Sequence, residues 1–407
     1  MPFRPRLTPA SRPAVLLAVA GAVALATACA PTPTVPPATP PPPAYAADLA
    51  PRITALMGEL QVPGASIYVD VPGKGTWQAA LGSRTVPAGA PMTVEDHTKI
   101  GSVTKTLTAE VVLQLAGQGK VGLDDPVTKY LPGVPNGDAI SVRQTLAMTA
   151  GFFNYTEDEY FNTTIDKDPH RPWTAGEVIA IGLAHPPYFP PGQGYHYSNT
   201  NYEILGVIAE KAGGKPLPVL LSERVLTPLG MTQTSLPAWD DGTLPAPHPQ
   251  GYMFGTNVEG NAAYNAALAG DRAKAQITVA PGTLPHDVTD LPTNGQASGG
   301  AVSTAKDMAT WAKALATGSL LTPEIQAQRT RYGAESGYGL GIQRTASGLV
   351  GHDGAVPGFQ TSVYYDPRTG STIVVLTNLL AVPNTYLGQA LPAERITALI
   401  QEAVLPA

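Results

Sequence analysis

Strand-like segments fall at both ends of the body of this chain, with helical and irregular sequence between them, and that placement limits the fold more than any other feature. Ala65-Ser66-Ile67-Tyr68-Val69-Asp70-Val71 reads as a strand, Pro72-Gly73-Lys74-Gly75 as its turn, and residues 76–81 as a partner strand. Near the other end, residues 340–344, 361–365 and 371–377 have the same character, with Asp366-Pro367-Arg368-Thr369-Gly370 as a hairpin turn and residues 393–404 as a closing helix. The arrangement predicts one antiparallel sheet built from both chain ends and flanked by helices, an α/β (α+β) fold. A mostly helical region of about residues 120–295 is inserted into it.

Within that insertion, residues 240–296 are rich in Gly, Pro, Asn and Ala and show little periodicity. A stretch of that length without regular structure is unusual in a compact domain. It reads either as a cleft-rim insertion that shapes substrate access or as a long surface excursion. Ahead of the body, Arg4, Arg6 and Arg12 precede an apolar core of residues 14–26, shorter than the roughly 20 residues of a spanning helix. The sole cysteine follows in Leu25-Ala26-Thr27-Ala28-Cys29, which resembles a bacterial lipoprotein cleavage box, with Ala26 where that pattern usually has Leu. The resemblance implies a signal peptide over residues 1–28, lipidation at Cys29 and anchoring to the outer face of the cell membrane; ordinary cleavage would give a secreted protein. Proline-rich sequence then predicts an extended, semi-rigid linker over residues 29–49, ahead of a catalytic body over residues 50–407.

The 407 residues, 43% of them hydrophobic, suffice for a sizeable core, and one cysteine precludes an intrachain disulfide. A net charge of −6 without a long basic run argues against nucleic acid as the main partner. No dinucleotide or phosphate-loop motif occurs, so no cofactor is expected. The seven histidines form no His-Glu-x-x-His pair, and His196, His248 and His286 are scattered among turn residues, which argues against a metal.

Chemistry concentrates in Gly101-Ser102-Val103-Thr104-Lys105. A serine hydroxyl is a poor nucleophile until a base takes its proton, and side chains at i and i+3 share a helix face. Val103, Leu107, Val111 and Leu115 form an apolar stripe, so the segment reads as an amphipathic helix with Ser102 at its start, where free N–H groups favour developing negative charge. A serine there is more often a simple N-cap, and a second Ser-x-x-Lys, Ser303 to Lys306, also opens a helix. Downstream lie Tyr197-Ser198-Asn199 and His352-Asp353-Gly354-Ala355.

In that order the three segments resemble the motifs of serine penicillin-recognising hydrolases, in the group holding class C β-lactamases, D-alanyl-D-alanine carboxypeptidases and related esterases. Gly122-Leu123-Asp124-Asp125-Pro126, Asn201-Tyr202-Glu203-Ile204-Leu205-Gly206, Pro228-Leu229-Gly230-Met231 and Ser298-Gly299-Gly300 are similar to that group's flanking segments. The resemblance implies an active site between two lobes and an acyl-enzyme on Ser102, with Lys105 and Tyr197 as the proton-handling pair, either of which could be the resting base. It further implies substrate held by Asn199, a cleft-edging strand carrying His352 and Gly354 where the backbone is open to substrate, and an oxyanion site from the N–H groups of Ser102 and Ala355. By motif order Ser303 is structural, and Tyr160 of a second Tyr-x-Asn, Tyr160-Phe161-Asn162, is a packing or surface aromatic. Asp353 departs from the usual threonine, and an ionised carboxylate there would repel a substrate carboxylate. The expected activity is a serine hydrolase acting on a D-alanyl peptide, ester or related acyl substrate, small or peptidoglycan-derived, in the cell envelope. The alternatives are an esterase with little peptidase activity and a catalytically silent binder of wall peptides or penicillins.

Overall fold

The computed structural model describes residues 41–405; the export segment and Cys29 lie outside the described residues. The central sheet has six strands: β1 (Gly64–Val71), β2 (Gly75–Gly82), β3 (Gln343–Arg344), β4 (Val350–Val356), β5 (Phe359–Asp366) and β6 (Ser371–Thr377), in the order β2-β1-β6-β5-β4-β3. Every neighbour pair is antiparallel, with Ile67 opposite Val375, Val363 opposite Val374 and Gly354 opposite Thr361. The two chain ends thus share one sheet, as their sequence pattern requires. Residues 340–342, expected to be strand, stay outside β3.

Alternation along the strands gives each face its own core. Tyr364, Ile373 and Val375 pack with helix α1 (Ala44–Glu59) and the C-terminal helix Pro392–Val404. Val363, Val374 and Leu376 face the helical side of the molecule. Helix α1 begins inside the expected linker, because Ala46, Leu49, Ile53 and Met57 recur at helical spacing and bury their stripe against the outer face of the sheet.

Between β2 and β3 run the helices of the second lobe, among them α2 (Thr104–Gly117), α3 (Glu159–Lys167), α4 (Asn199–Gly213) and α5 (Asn257–Leu268), then α6 (Ala305–Thr317) packed on the sheet. The C-terminal helix is α7 (Pro392–Val404). α2 differs from the amphipathic expectation: it is buried nearly all round, not along one stripe. Its polar positions are tolerated because each has a partner. Thr106 Oγ1 accepts from Trp311 Nε1 at 2.7 Å, Thr108 Oγ1 donates to the Ala297 carbonyl at 2.7 Å, and Glu110 pairs with buried Arg329 at 2.7 Å. Ser303 lies in a short strand pair with Thr98–Lys99 and shares a hydrogen bond with Thr234, which also donates to Asp307; Lys306 points to solvent.

Candidate active site

Ser102 sits in a 3₁₀ turn, Gly101–Val103, that feeds directly into α2. Two glycines let that turn lie against β4. A Cβ on Gly101, where φ is +52°, would come within 2.7 Å of Ala355 N, and one on Gly354 within 2.1 Å of the Ile100 carbonyl and 3.0 Å of Ser102 N. Gly354 is therefore required by the docking of the nucleophile turn, a role that the expected substrate approach does not include. The same docking brings the N–H groups of Ser102 and Ala355 to one place. Ser102 N has no acceptor among the described residues, as befits the first turn of a helix. Val356 and Phe359 close a two-residue hairpin, so the next pair, Ala355 with Gln360, is not hydrogen-bonded and the Ala355 N–H faces the open strand edge. Two free donors beside a serine hydroxyl make an oxyanion site.

Lys105 lies one turn further on and is completely buried. Its Nζ is 2.6 Å from Asn199 Oδ1, 2.7 Å from the Ser298 carbonyl and 3.1 Å from Ser102 Oγ. Burial pulls its pKa down to about 7, against the opposing pull of Glu203 and Asp353. In the neutral amine the two carbonyl oxygens, which can only accept, take both N–H bonds. The lone pair is left facing the Ser102 hydroxyl. The Tyr197 phenol is driven the other way: burial holds it well above its usual value, partly offset by the Ser102 hydroxyl. Its OH is buried with no hydrogen bond of good geometry, and its ring lies 4.9 Å from Lys105 Nζ. Lys105 as base and Tyr197 as protonated donor are the states this environment favours.

His352 is buried in the same cluster, 6.2 Å ring to ring from Tyr197 and edge-on to Tyr338. Its Nδ1 lies 2.5 Å from the Asp353 carbonyl and its Nε2 3.1 Å from the Tyr338 hydroxyl. A carbonyl only accepts, so Nδ1 carries the proton and Nε2 accepts from Tyr338. Burial lowers the imidazole pKa, with Asp353 opposing, which favours the neutral ring. Asp353 lines the cleft beside Glu394 of α7, whose carboxyl is pushed up to about 7 by burial and by Asp353.

Asn199 lines the cavity and also aims Lys105. Its carbonyl accepts from Lys105, and its amide donates to Asn154 Oδ1 and Thr156 Oγ1, so its side chain holds Lys105 in place. Motif spacing misses Ser298 and Glu203, although both stand in flanking segments that carry the family resemblance. The buried Glu203 carboxylate accepts from the N–H groups of Ala297 and Ser298 and so fixes the Ser298 carbonyl on Lys105. Tyr160 is 62% exposed and no part of the site.

One cavity of about 650 Å³ opens on the site, lined by Ser102, Tyr197, Asn199, His352, Asp353 and Ala355 and extended by residues from 154–165, 253–264 and 291–300. Residues 240–296 are thus a cleft-rim insertion, and they contain a helix, α5, that their composition hides. Among the described residues no group of His, Cys, Asp and Glu could hold a metal ion, and no helix is long and apolar enough to cross a membrane.

The beta-lactamase family model matches residues 49–391. PbpX of Bacillus subtilis (strain 168), named as a penicillin-binding protein, is 27% identical over 71% of this chain and 63% of its own length. Esterase EstB of Burkholderia gladioli is 30% identical over 46% of this chain and 51% of its own. The chain therefore spans less than two thirds of either curated relative. Among solved structures, a D-stereospecific amidohydrolase from Streptomyces sp. superposes with a TM-score of 0.70 at 28% identity, covering 88% of this chain and 98% of that one. D-amino acid amidase from Ochrobactrum anthropi SV3 gives 0.70 at 25% identity, covering 88% and 100%.

Proposed function

This chain is a member of the beta-lactamase family, and we propose that it is a serine hydrolase that cleaves amides or esters of small D-aminoacyl groups through an acyl-enzyme on Ser102. The observation that carries the reading is the buried Lys105 amine, whose Nζ lies 2.6 and 2.7 Å from two carbonyl oxygens and 3.1 Å from Ser102 Oγ, with burial drawing its pKa down to about 7. Ser102 Oγ attacks the substrate carbonyl carbon, and its proton passes to Lys105 Nζ. The tetrahedral oxyanion rests on the N–H groups of Ser102 and Ala355. Collapse breaks the bond to the leaving amine or alcohol, which takes its proton from the Lys105–Tyr197 pair. Water then attacks the acyl-enzyme, gives its proton to the same pair and releases the acid and Ser102.

The substrate assignment draws on the D-stereospecific amidohydrolase and D-amino acid amidase relatives and on Asp353. The negative Asp353–Glu394 corner of the cleft disfavours a leaving group that carries a carboxylate, which points to amides and esters over D-alanyl-D-alanine termini. Fluorophosphonate and fluorescent penicillin labelling of wild type and Ser102→Ala, followed by kinetics on matched carboxylate-terminated and amidated D-alanyl substrates, tests it. Labelling at Ser102 with preference for the amide supports the proposal. Absence of labelling, or a strong preference for the free carboxylate, overturns it. We also propose export and lipid anchoring through Cys29; loss of the protein from the membrane fraction on Cys29→Ser is the expected result.

A further inference from the structure

Three carboxylates line the catalytic cavity: Glu157, Asp241 and Asp353. Two have a Lys or His neighbour. Asp241 lies close enough to Lys99 to act on its charge, and Asp353 lies 3.8 Å from His352 Nδ1. Glu157 has none: among the described residues no Lys, Arg or His comes within ion-pair distance of it. It is nevertheless held in place. Asn154 Nδ2 donates to Oε1 at 2.9 Å and the Tyr188 hydroxyl to Oε2 at 2.8 Å, each oxygen keeping lone-pair capacity. Asn154 in turn accepts from the Asn199 amide that aims Lys105, so the carboxylate is tied by two side chains to the catalytic lysine. A fixed, half-buried carboxylate without a counter-charge, open to a substrate cavity, is complementary to a cation brought by the substrate.

The roof over this corner says what kind of cation. The face of α5 turned to the cavity carries Asn257, Gly260, Asn261, Tyr264 and Ala267, at helical spacing. Asn261 Nδ2 donates to the Glu157 carbonyl at 3.1 Å, and the Tyr264 phenol, pushed up to about 12 by burial and by Glu157, hangs over the same corner. The strap is tied down on both sides of the cleft. At its start, Asp166 of α3 takes the N–H groups of Asn257 and Val258 at 2.9 Å each and the Asn257 amide at 2.8 Å. Beyond α5, Asn384 N donates to the Ile277 carbonyl and Leu387 N to the Ala275 carbonyl, both at 2.7 Å. Glu157 lines the same cavity as Ser102 and Asn199, beneath this crossing chain, where a charged end of the acyl group fits better than a continuing peptide.

Resting on the amide- and ester-cleaving reading above, we infer that Glu157 binds the free α-ammonium of the substrate's acyl residue. The preferred substrates are then single, unblocked D-aminoacyl amides or esters. The test compares D-alanyl p-nitroanilide with propionyl p-nitroanilide, which replaces the ammonium by hydrogen, and with N-acetyl-D-alanyl p-nitroanilide, which removes its charge. Wild type is expected to favour the free amine in kcat/KM by on the order of 10- to 100-fold, the worth of one charge-assisted hydrogen bond. Glu157→Gln is expected to bring that ratio towards unity, mainly through KM. Fluorophosphonate labelling at Ser102 reports whether the variant is folded; the wild-type ratio stands as a test in either case. Equal rates on the D-alanyl and propionyl substrates, or a ratio unchanged by Glu157→Gln in labelled protein, overturn the inference. Turnover of the propionyl substrate as fast as the D-alanyl one, with Ser102 labelling, would leave the serine-hydrolase reading standing while this one fell.

Discussion

Replacing Lys105 by methionine is expected to abolish turnover and, less obviously, to flatten the pH dependence of stability. In the folded protein the lysine titrates near 7, while in the unfolded chain it returns to 10.5. Between those values the unfolded chain binds a proton that the folded one does not, so stability rises with pH across that window and is lowest below it. The full span is worth about 5 kcal/mol at 1.36 kcal/mol per pH unit. Between pH 7 and pH 9 the Lys105 contribution to unfolding free energy grows by about 2 kcal/mol. Because Lys105 is completely buried, no discount for solvent exposure applies. Lys99, drawn down to about 8 by burial, adds a slope of the same sign in wild type and variant alike, so it cancels in the comparison.

The assay is urea unfolding at pH 7 and pH 9, read as the difference of differences between wild type and Lys105→Met. Methionine also leaves Asn199 Oδ1 and the Ser298 carbonyl without their donor. That changes absolute stability but adds no titrating group, so the slope remains the clean readout. The same proton should appear in kinetics, with kcat/KM rising to a plateau as pH rises through about 7, because only the neutral amine can take the serine proton. Equal slopes in the two proteins, or an activity profile whose acid limb lies above pH 9, would refute Lys105 as the neutral base.

Gly354→Ala drives a methyl group into the Ile100 carbonyl and the Ser102 N–H, so acylation should slow by about 10²- to 10³-fold, the cost of a misplaced oxyanion donor, measured as the rate of fluorophosphonate labelling. Tyr197→Phe keeps the ring and removes the buried hydroxyl; kcat should fall by about 10²- to 10⁴-fold with little change in melting temperature. Arg329→Leu strands the Glu110 carboxylate in the core beside α2 and should destabilise the fold by about 3–5 kcal/mol in urea unfolding, with Glu110→Met in the same chain restoring much of the loss.

The sheet was legible because its strands carry their own pattern. β6 is a continuous apolar run, Ile373-Val374-Val375-Leu376, buried on both faces, and its hairpin turn is explicit. Helix α2 was legible as a helix but not as a buried one. Thr106, Thr108 and Glu110 read as a solvated face until Trp311, the Ala297 carbonyl and Arg329, each about 190 residues or more away in sequence, satisfy them. The linker boundary failed for the opposite reason, since proline density masked the Ala46, Leu49, Ile53, Met57 stripe that makes α1 worth folding.

Site residues divide along the same line. In the proposed mechanism Ser102, Lys105 and Tyr197 act through side-chain chemistry; the family resemblance marks them, where spacing alone does not separate Ser102 and Lys105 from Ser303 and Lys306. Gly354, Ser298 and Glu203 act through the backbone: one lets two chain segments touch, one lends a carbonyl, and one aims that carbonyl. A carbonyl has no signature in a sequence, so such parts become visible only once the chain is folded. Asn199 shows how the two kinds meet. Its motif position marks it as a substrate ligand, yet every polar atom of its side chain is engaged by Lys105, Asn154 and Thr156. Substitution by aspartate separates the roles. A carboxylate there would stabilise the protonated lysine, so the acid limb of kcat/KM should move to higher pH with KM little changed. A residue that served chiefly to hold substrate would raise KM and leave that limb in place.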